Sequence, residues 1–536
     1  MKSIHGAKVR LLSAVAALVL TTSLGSLPAV AQVTAFKQSV AEAAFGNEGI
    51  AEYYRTVKYE PLWTGASDTH RARRAALFDA FDRVGVHGIP RSRYDVDALM
   101  QQMANARTTR DLGVVEIALS RAYVQLARDM RNGILEPRRI DSGIVREIAY
   151  AQPQAILTDL ASSDPVDAIA SLAPNTREYR ALLKEKLRLQ RVVAAGGWGA
   201  AVKAKALEPG SQGPEVVVLR NRLIAMGLLE HTASVQYDSS LQAAVRQFQE
   251  QHGLETDGVA GAGTITQINV TAAKRLQSIH VAMERERWLG HERGARHVLV
   301  NLTDYHAQII DNDKVTFRTR SVIGKNVSDR RTPEFSDTME HMVINPSWYV
   351  PRSIITKEYL PRLKRNPGAV SHIRIVDRKG RTVNRSTANF SRFTERSFPY
   401  SMVQPPSNRN ALGLVKFMFP NKHNIYLHDT PEKHLFKREA RAYSHGCVRL
   451  ADPFEFAYAL LAVQEDNPED YFQKILKSGR ETRVNLKKQV PVHLIYRTAF
   501  TTPRGDVHYR GDVYGRDEAI WRALNAAGVV LHGHQS

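Results

Sequence analysis

IYLHDTPEKHLFKREARAYSHGCVRL, residues 425–450, contains the single cysteine of a 536-residue chain, Cys447. The stretch GLVKFMFPN (413–421) leads into it, and the alternation that follows reads as a strand with Tyr426 and His428 on one face and Ile425 and Leu427 on the other. The polar face can line a cleft while the apolar face packs. Fifteen residues separate His428 from Ser444-His445-Gly446-Cys447, a loop long enough to return the thiol to the imidazole.

The residue types suit acyl transfer. A free thiol with a pKa of about 8.5 is only slightly ionised at neutral pH, and the thiolate is the nucleophile. A neighbouring imidazole takes the proton and returns it to a leaving amine. Gly446 lets the backbone turn so that amides beside the nucleophile face a developing oxyanion. A zinc site built from His428, His445 and Cys447 fails on count and spacing, because cysteine sites bring more cysteines in close pairs. His532-Gly533-His534 reads as a tail. Taken singly, Cys447 also suits a small buried apolar residue.

The N-terminus places this chemistry outside the cytoplasm. Lys2, Lys8 and Arg10 precede an apolar run from Leu11 to Leu20, and Ala29-Val30-Ala31 forms a small-x-small cleavage site, so residues 1–31 read as a signal peptide. No later segment has the roughly 18 consecutive apolar residues of a membrane span. One cysteine excludes internal disulfides. A net charge of +20 asks for an anionic partner. Export points away from nucleic acid and toward cell-wall polymer, whose peptides carry carboxylates; the plain alternative is solubility.

The rest of the chain exceeds one hydrophobic core and divides into about three domains. Residues 48–204 read as helical, with Leu119, Ala122, Tyr123, Leu126 and Met130 along one helix face. Within 207–270, Leu241, Val245 and Phe248 recur at helical spacing before the turn Asp257-Gly258. A helix carrying Leu276, Ile279 and Met283 leads to Trp288. RHVLVNL, YHAQIID and KVTFRTRSVIG then read as successive strands of a β-rich domain, 295–497, which a basic stretch at about 345–405 interrupts. That insertion is either a lid over a site or a surface elaboration. Residues 498–536 are left as a C-terminal extension.

Two resemblances follow. LRNRL (219–223) and AVRQFQEQHGLETDGVAGAGT (244–264) resemble the small three-helix peptidoglycan-binding domain. His428 with Ser444-His445-Gly446-Cys447-Val448-Arg449 resembles the signature of the YkuD-type L,D-transpeptidase catalytic domain. RTPEF (331–335), NALG (410–413) and IYLHDTP (425–431) are similar to its large branch. The implied architecture is multidomain α+β: a helical scaffold domain, a three-helix peptidoglycan-binding domain, and a mainly-β catalytic domain with an inserted lid.

The resemblance implies Cys447 as nucleophile, His428 as general base and acid, and the Asp429 carbonyl as the group orienting the imidazole. It implies Gly446 N–H and Cys447 N–H as oxyanion donors; for Tyr426 a hydroxyl donor and simple packing both stand. Arg449 serves either a substrate carboxylate or a structural ion pair. Ser444, His445, Trp348 and Tyr349 are further candidates for contact with substrate. No cofactor and no metal are implied. The implied reaction joins peptidoglycan stem peptides by 3-3 crosslinks through a thioester, with release of D-alanine, in the periplasm, and the same thiol would be trapped by carbapenems. Water as acceptor gives an L,D-carboxypeptidase, an outer-membrane protein's amine gives anchoring to the wall, and a noncatalytic wall-binding scaffold is the reading of another class.

Overall fold

The computed structural model describes residues 28–531 apart from 291–292 and 503–504, with side chains from residue 34 onward. Of the expected signal segment, residues 1–27 lie outside the described residues, as do His532 to His534, and 28–31 open helix α1 (Pro28–Ala43).

Helices α2 (Glu48–Thr56), α3 (Asp68–Arg83), α4 (Val96–Asn105), α5 (Thr109–Asn132), α6 (Pro137–Ile140), α7 (Pro153–Ser162) and α8 (Pro165–Ala170) follow. Trp63, Phe81, Ile117, Tyr123 and Leu126 lie at the centre of their core. Thr108 and Asp111 close a reciprocal capping box at the start of α5, which satisfies amides the helix itself leaves unpaired. Helix α9 (Arg177–Ala194) precedes a separate unit of α10 (Pro214–Ala225), α11 (Ser239–His252) and α12 (Ala262–Ile268), whose core includes Leu241, Val245 and Phe248.

Helix α13 (Ala272–Leu289) is buried on nearly every side, well beyond the stripe of Leu276, Ile279 and Met283. Its polar residues are paired rather than solvated. Glu284 accepts the backbone amides of Ile134 and Leu135 at 2.7 and 2.9 Å. Arg285 bridges Glu334 and Asp517, each at 2.7 Å. Glu286 pairs with Arg293 and Arg497. Buried charges persist only with such partners, so α13 joins the helical domain, the β domain and the C-terminal segment.

The β domain begins with β1 (Arg296–Asn301), β2 (His306–Asp311), β3 (Lys314–Gly324) and β4 (Phe335–Ile344). The insertion contributes β5 (Trp348–Tyr349), α14 (Arg352–Ile354), a π-helical turn at Ile355–Tyr359, α15 (Leu360–Arg365), β6 (Arg374–Val376) and β7 (Ser401–Gln404). Then come β8 (Val415–Met418), β9 (Leu427–His428), β10 (Ala442–Ser444), β11 (Val448–Leu450), α16 (Pro453–Leu461), α17 (Pro468–Lys477) and β12 (Thr482–Ile495). Strand pairing closes on itself in the order β1-β2-β3-β11-β9-β8-β4-β12, with β10 flanking β3. Val298, Val300, Ile323, Met342, Phe417, Leu427 and Val448 fill the interior.

Two features go beyond the sequence pattern. The insertion is a small subdomain with its own sheet, β5-β7-β6, and its own core of Trp348, Ile355, Leu363, Ile375 and Phe398. Asn410 staples its two ends: fully buried, it donates to the carbonyls of Pro346, Gln404 and Pro405 at 3.0–3.1 Å. The described residues after 497, read as a C-terminal extension, pack against α9 and α13. Their hairpin β13 (Ala499–Thr501) and β14 (Val507–Tyr509) shares a core with α9 and α13, and α18 (Arg516–Ala526) sets Ile520 and Trp521 against Val281 and Trp288. The apolar faces α13 presents beyond its sequence stripe require these partners. Among the described residues no helix is long and apolar enough to cross a membrane.

Candidate active site

The parallel pair β9 and β11 brings the two halves of the sequence signature together. Val448 lies opposite Leu427 and Arg449 opposite His428. Val448 and Leu427 are fully buried in the barrel. The pleat therefore turns Tyr426, His428, Cys447 and Arg449 to the other face. Tyr426 lies at the seam, packed against both the barrel core and the core of the insertion, with its ring centroid 5.7 Å from that of His428.

The turn before Cys447 is held by short contacts. Gly446 has φ +121°, and a Cβ there would sit 3.1 Å from Ile425 Cδ1, so glycine suits the position on both counts. Gly446 N–H donates to Ser444 Oγ at 3.1 Å, and Ser444 Oγ donates to the Cys447 carbonyl. Gly446 N–H, expected as an oxyanion donor, is thus already engaged by the loop's own serine. The Cys447 N–H has no hydrogen-bond acceptor among the described residues.

Cys447 is partly exposed at the surface, but the surrounding walls strip it of water. That burial pushes its thiol up to about 11, against hydrogen bonds from the Tyr426 amide and hydroxyl and the charge of Arg449. In this rotamer Sγ donates to the Asn424 carbonyl at 3.5 Å. His428 is buried, and desolvation, followed by Arg449, lowers its imidazole to about 3. Its Nδ1–H donates to the Asp429 carbonyl, which puts the ring's lone pair on Nε2. The resting pair is therefore neutral thiol and neutral imidazole.

Asp429 is fixed in turn. Its carboxylate accepts from Leu414 N–H at 2.9 Å, Thr430 N–H at 2.7 Å and Lys433 Nζ at 2.8 Å. Gly413, φ +61°, leaves room for it, because a Cβ there would fall 2.2 Å from Asp429 Oδ2.

The remaining candidates are distributed as follows. Arg449 pairs with Glu432 across the strand end through Nη1. His445 Nε2 meets Glu358 Oε1 at 2.7 Å, and Arg330 meets the same carboxylate at 2.8 Å, so His445 is tied to the insertion. Glu358 reaches both from the π-helical turn, a local irregularity often found at functional sites. Lys357 adds a second link to Asp329 at 2.7 Å. Trp348, expected to contact substrate, is 8 % exposed and packs edge-on to Tyr359 in the core of the insertion. Tyr349, its neighbour on the other face of β5, is exposed.

Sequence reasoning gave no role to Thr332, Glu358 or Asn410. Thr332 and Asn410 lie inside RTPEF and NALG, so a signal was present for them; Glu358 had none. Thr332 is fully buried and its hydroxyl donates to the Gly446 carbonyl at 2.7 Å.

Comparison with known proteins matches three segments. Residues 48–186 match a family described as a scaffold domain, 212–268 one described as "Putative peptidoglycan binding domain", and 295–492 the YkuD L,D-transpeptidase catalytic domain. A curated relative from Haemophilus influenzae, "Putative L,D-transpeptidase", is 32% identical over 225 residues, spanning 42% of this chain and 45% of the relative. Solved structures of L,D-transpeptidases from Xylanimonas cellulosilytica and Stackebrandtia nassauensis each share 14% identity over 55% of this chain, covering 98% and 97% of theirs with TM-scores of 0.16 and 0.22.

Proposed function

We propose that this chain, whose segments match a scaffold domain, a peptidoglycan-binding domain and the YkuD L,D-transpeptidase catalytic domain, crosslinks peptidoglycan stem peptides in the periplasm through a thioester on Cys447. The observation that carries this reading is the common face of Cys447, Tyr426 and His428, with His428 Nδ1–H on the Asp429 carbonyl.

In the first step Sγ bonds to the carbonyl carbon of the third stem residue, the thiol proton passes to His428 Nε2, and the carbonyl π pair moves to oxygen. Because both groups rest neutral, the proton leaves as the bond forms. Collapse of the oxyanion expels D-alanine, whose amine takes the proton from His428. In the second step the side-chain amine of another stem attacks the thioester, His428 takes its proton, and the departing thiolate recovers it. Both steps pass through an oxyanion at one place, so one set of donors serves both. The orienting member of the triad is a main-chain carbonyl. The inserted subdomain acts as a lid, clasped to the SHGC loop through Glu358 and His445, and limits water at the thioester.

Purified muropeptides incubated with the full chain and resolved by mass spectrometry test this. The expected product is a 3-3 dimer with free D-alanine, lost in Cys447→Ala. Tripeptide alone would make the protein a carboxypeptidase, transfer only to an added outer-membrane protein would make it an anchoring enzyme, and unchanged products in Cys447→Ala would leave only a wall-binding scaffold.

A further inference from the structure

We propose that Thr332 is a positioning residue that clamps the Gly446–Cys447 peptide so that Cys447 N–H, not Gly446 N–H, faces the developing oxyanion; the proposal rests on the acyl-transfer reading above. A trans peptide is planar with its C=O and N–H pointing oppositely, so fixing one fixes the other. Thr332 Oγ1 donates to the Gly446 carbonyl at 2.7 Å and accepts Gly324 N–H at 2.9 Å. With the carbonyl drawn toward Thr332, the N–H of the same peptide unit is turned away from it. That N–H has no acceptor of its own, while Gly446 N–H is bound to Ser444 Oγ. A clamp is needed because glycine tolerates either orientation of the peptide that follows it.

Thr332 is itself anchored from outside the barrel. Its N–H donates to the Tyr514 hydroxyl at 3.2 Å, Tyr514 donates to the Gly324 carbonyl, and Arg516 Nη2 donates to the Thr332 carbonyl at 3.1 Å. Pro333 follows and holds Thr332 in extended backbone. Two residues on, Glu334 exchanges backbone hydrogen bonds with Gly143 and Val145 of the helical domain at 2.7 and 2.8 Å. The C-terminal segment and the helical domain thus reach the oxyanion donor through one hydroxyl, and Thr332 touches no reacting atom.

The test compares two reactions of the same thiol in the full chain. Acylation by imipenem passes through an oxyanion, whereas alkylation by iodoacetamide does not; both are followed by intact mass. Thr332→Val, which keeps the shape and removes the hydroxyl, should slow acylation about 10- to 100-fold and leave alkylation within about 2-fold. Thr332→Ser should restore acylation to within about 3-fold of wild type. Tyr514→Phe, remote from Cys447, should give the same signature at about 3-fold and stands in should Thr332→Val not fold. Equal losses in both reactions, or wild-type acylation in Thr332→Val or Tyr514→Phe, would overturn the clamp. A wild-type protein that alkylates but never acylates would instead overturn the acyl-transfer reading, and the clamp with it.

Discussion

The neutral resting state of Cys447 and His428 makes a sharp claim about pH. Burial raises the thiol to about 11 and lowers the imidazole to about 3, so neither supplies the other with a stable opposite charge. A thiol at about 11 is ionised in about one molecule in 3,000 at pH 7.5, and only that thiolate reacts. Iodoacetamide alkylation of the full chain, followed by mass from pH 6 to 11, should rise about tenfold per unit and level off only near 11. On the acid side His428 keeps its base form. Acylation should therefore stay flat down to pH 5, where an imidazole of pKa about 6.5 would already have cost about 30-fold. His428→Gln should leave alkylation at pH 7.5 nearly unchanged while abolishing acylation. An alkylation rate already level between pH 6 and 8, falling steeply in His428→Gln, would show a thiolate–imidazolium pair and refute the reasoning.

Gly413→Ala places a Cβ 2.2 Å from Asp429 Oδ2 at a φ of +61°, so it should lower stability by about 1–3 kcal/mol and activity further, by displacing the carbonyl that orients His428; thermal melting and muropeptide turnover check both. Asn410→Leu leaves the buried carbonyls of Pro346 and Gln404 at the base of the insertion without this donor and should cost about 2–4 kcal/mol in urea unfolding. Arg285→Leu leaves Asp517 buried without its cationic partner and Glu334 with Arg516 alone, which should cost about 3 kcal/mol at neutral pH in the same assay. Because burial holds Asp517 up at about 6 even beside Arg285, part of that loss should be recovered as the pH falls and the carboxyl is protonated.

Much of the site was legible because its parts are local in sequence. Alternation around Leu427 assigned Tyr426 and His428 to one face, and the lone thiol followed on a loop of fixed length. What lay beyond the local pattern was the partner of each polar group. Gly446 N–H read as an oxyanion donor, and Ser444 two residues earlier accepts it. For Arg449 a substrate carboxylate and a structural ion pair both stood, and it pairs with Glu432; His445, a candidate for substrate contact, meets Glu358, which comes from a stretch that the chain pattern left irregular. Trp348, a candidate for contact with substrate, lies in the insertion's own core, and an aromatic at the edge of an insertion suits either surface or core.

The solitude of Cys447, the spacing of His428 to the SHGC loop, and the helical and β-rich segments and their order are all legible in the chain, since each depends on composition, periodicity or residues close together. The three-dimensional fold settles that the ring of strands closes, that α13 is a buried charged hub, that β13, β14 and α18 pack against it, and that Thr332 reaches the Gly446 carbonyl. Those depend on partners 100 or more residues apart, such as Thr332 and Gly446 or Arg285 and Asp517. Hydrogen bonds and ion pairs of that kind leave no period in the sequence, because what fixes them is the cost of burying a polar group without its partner.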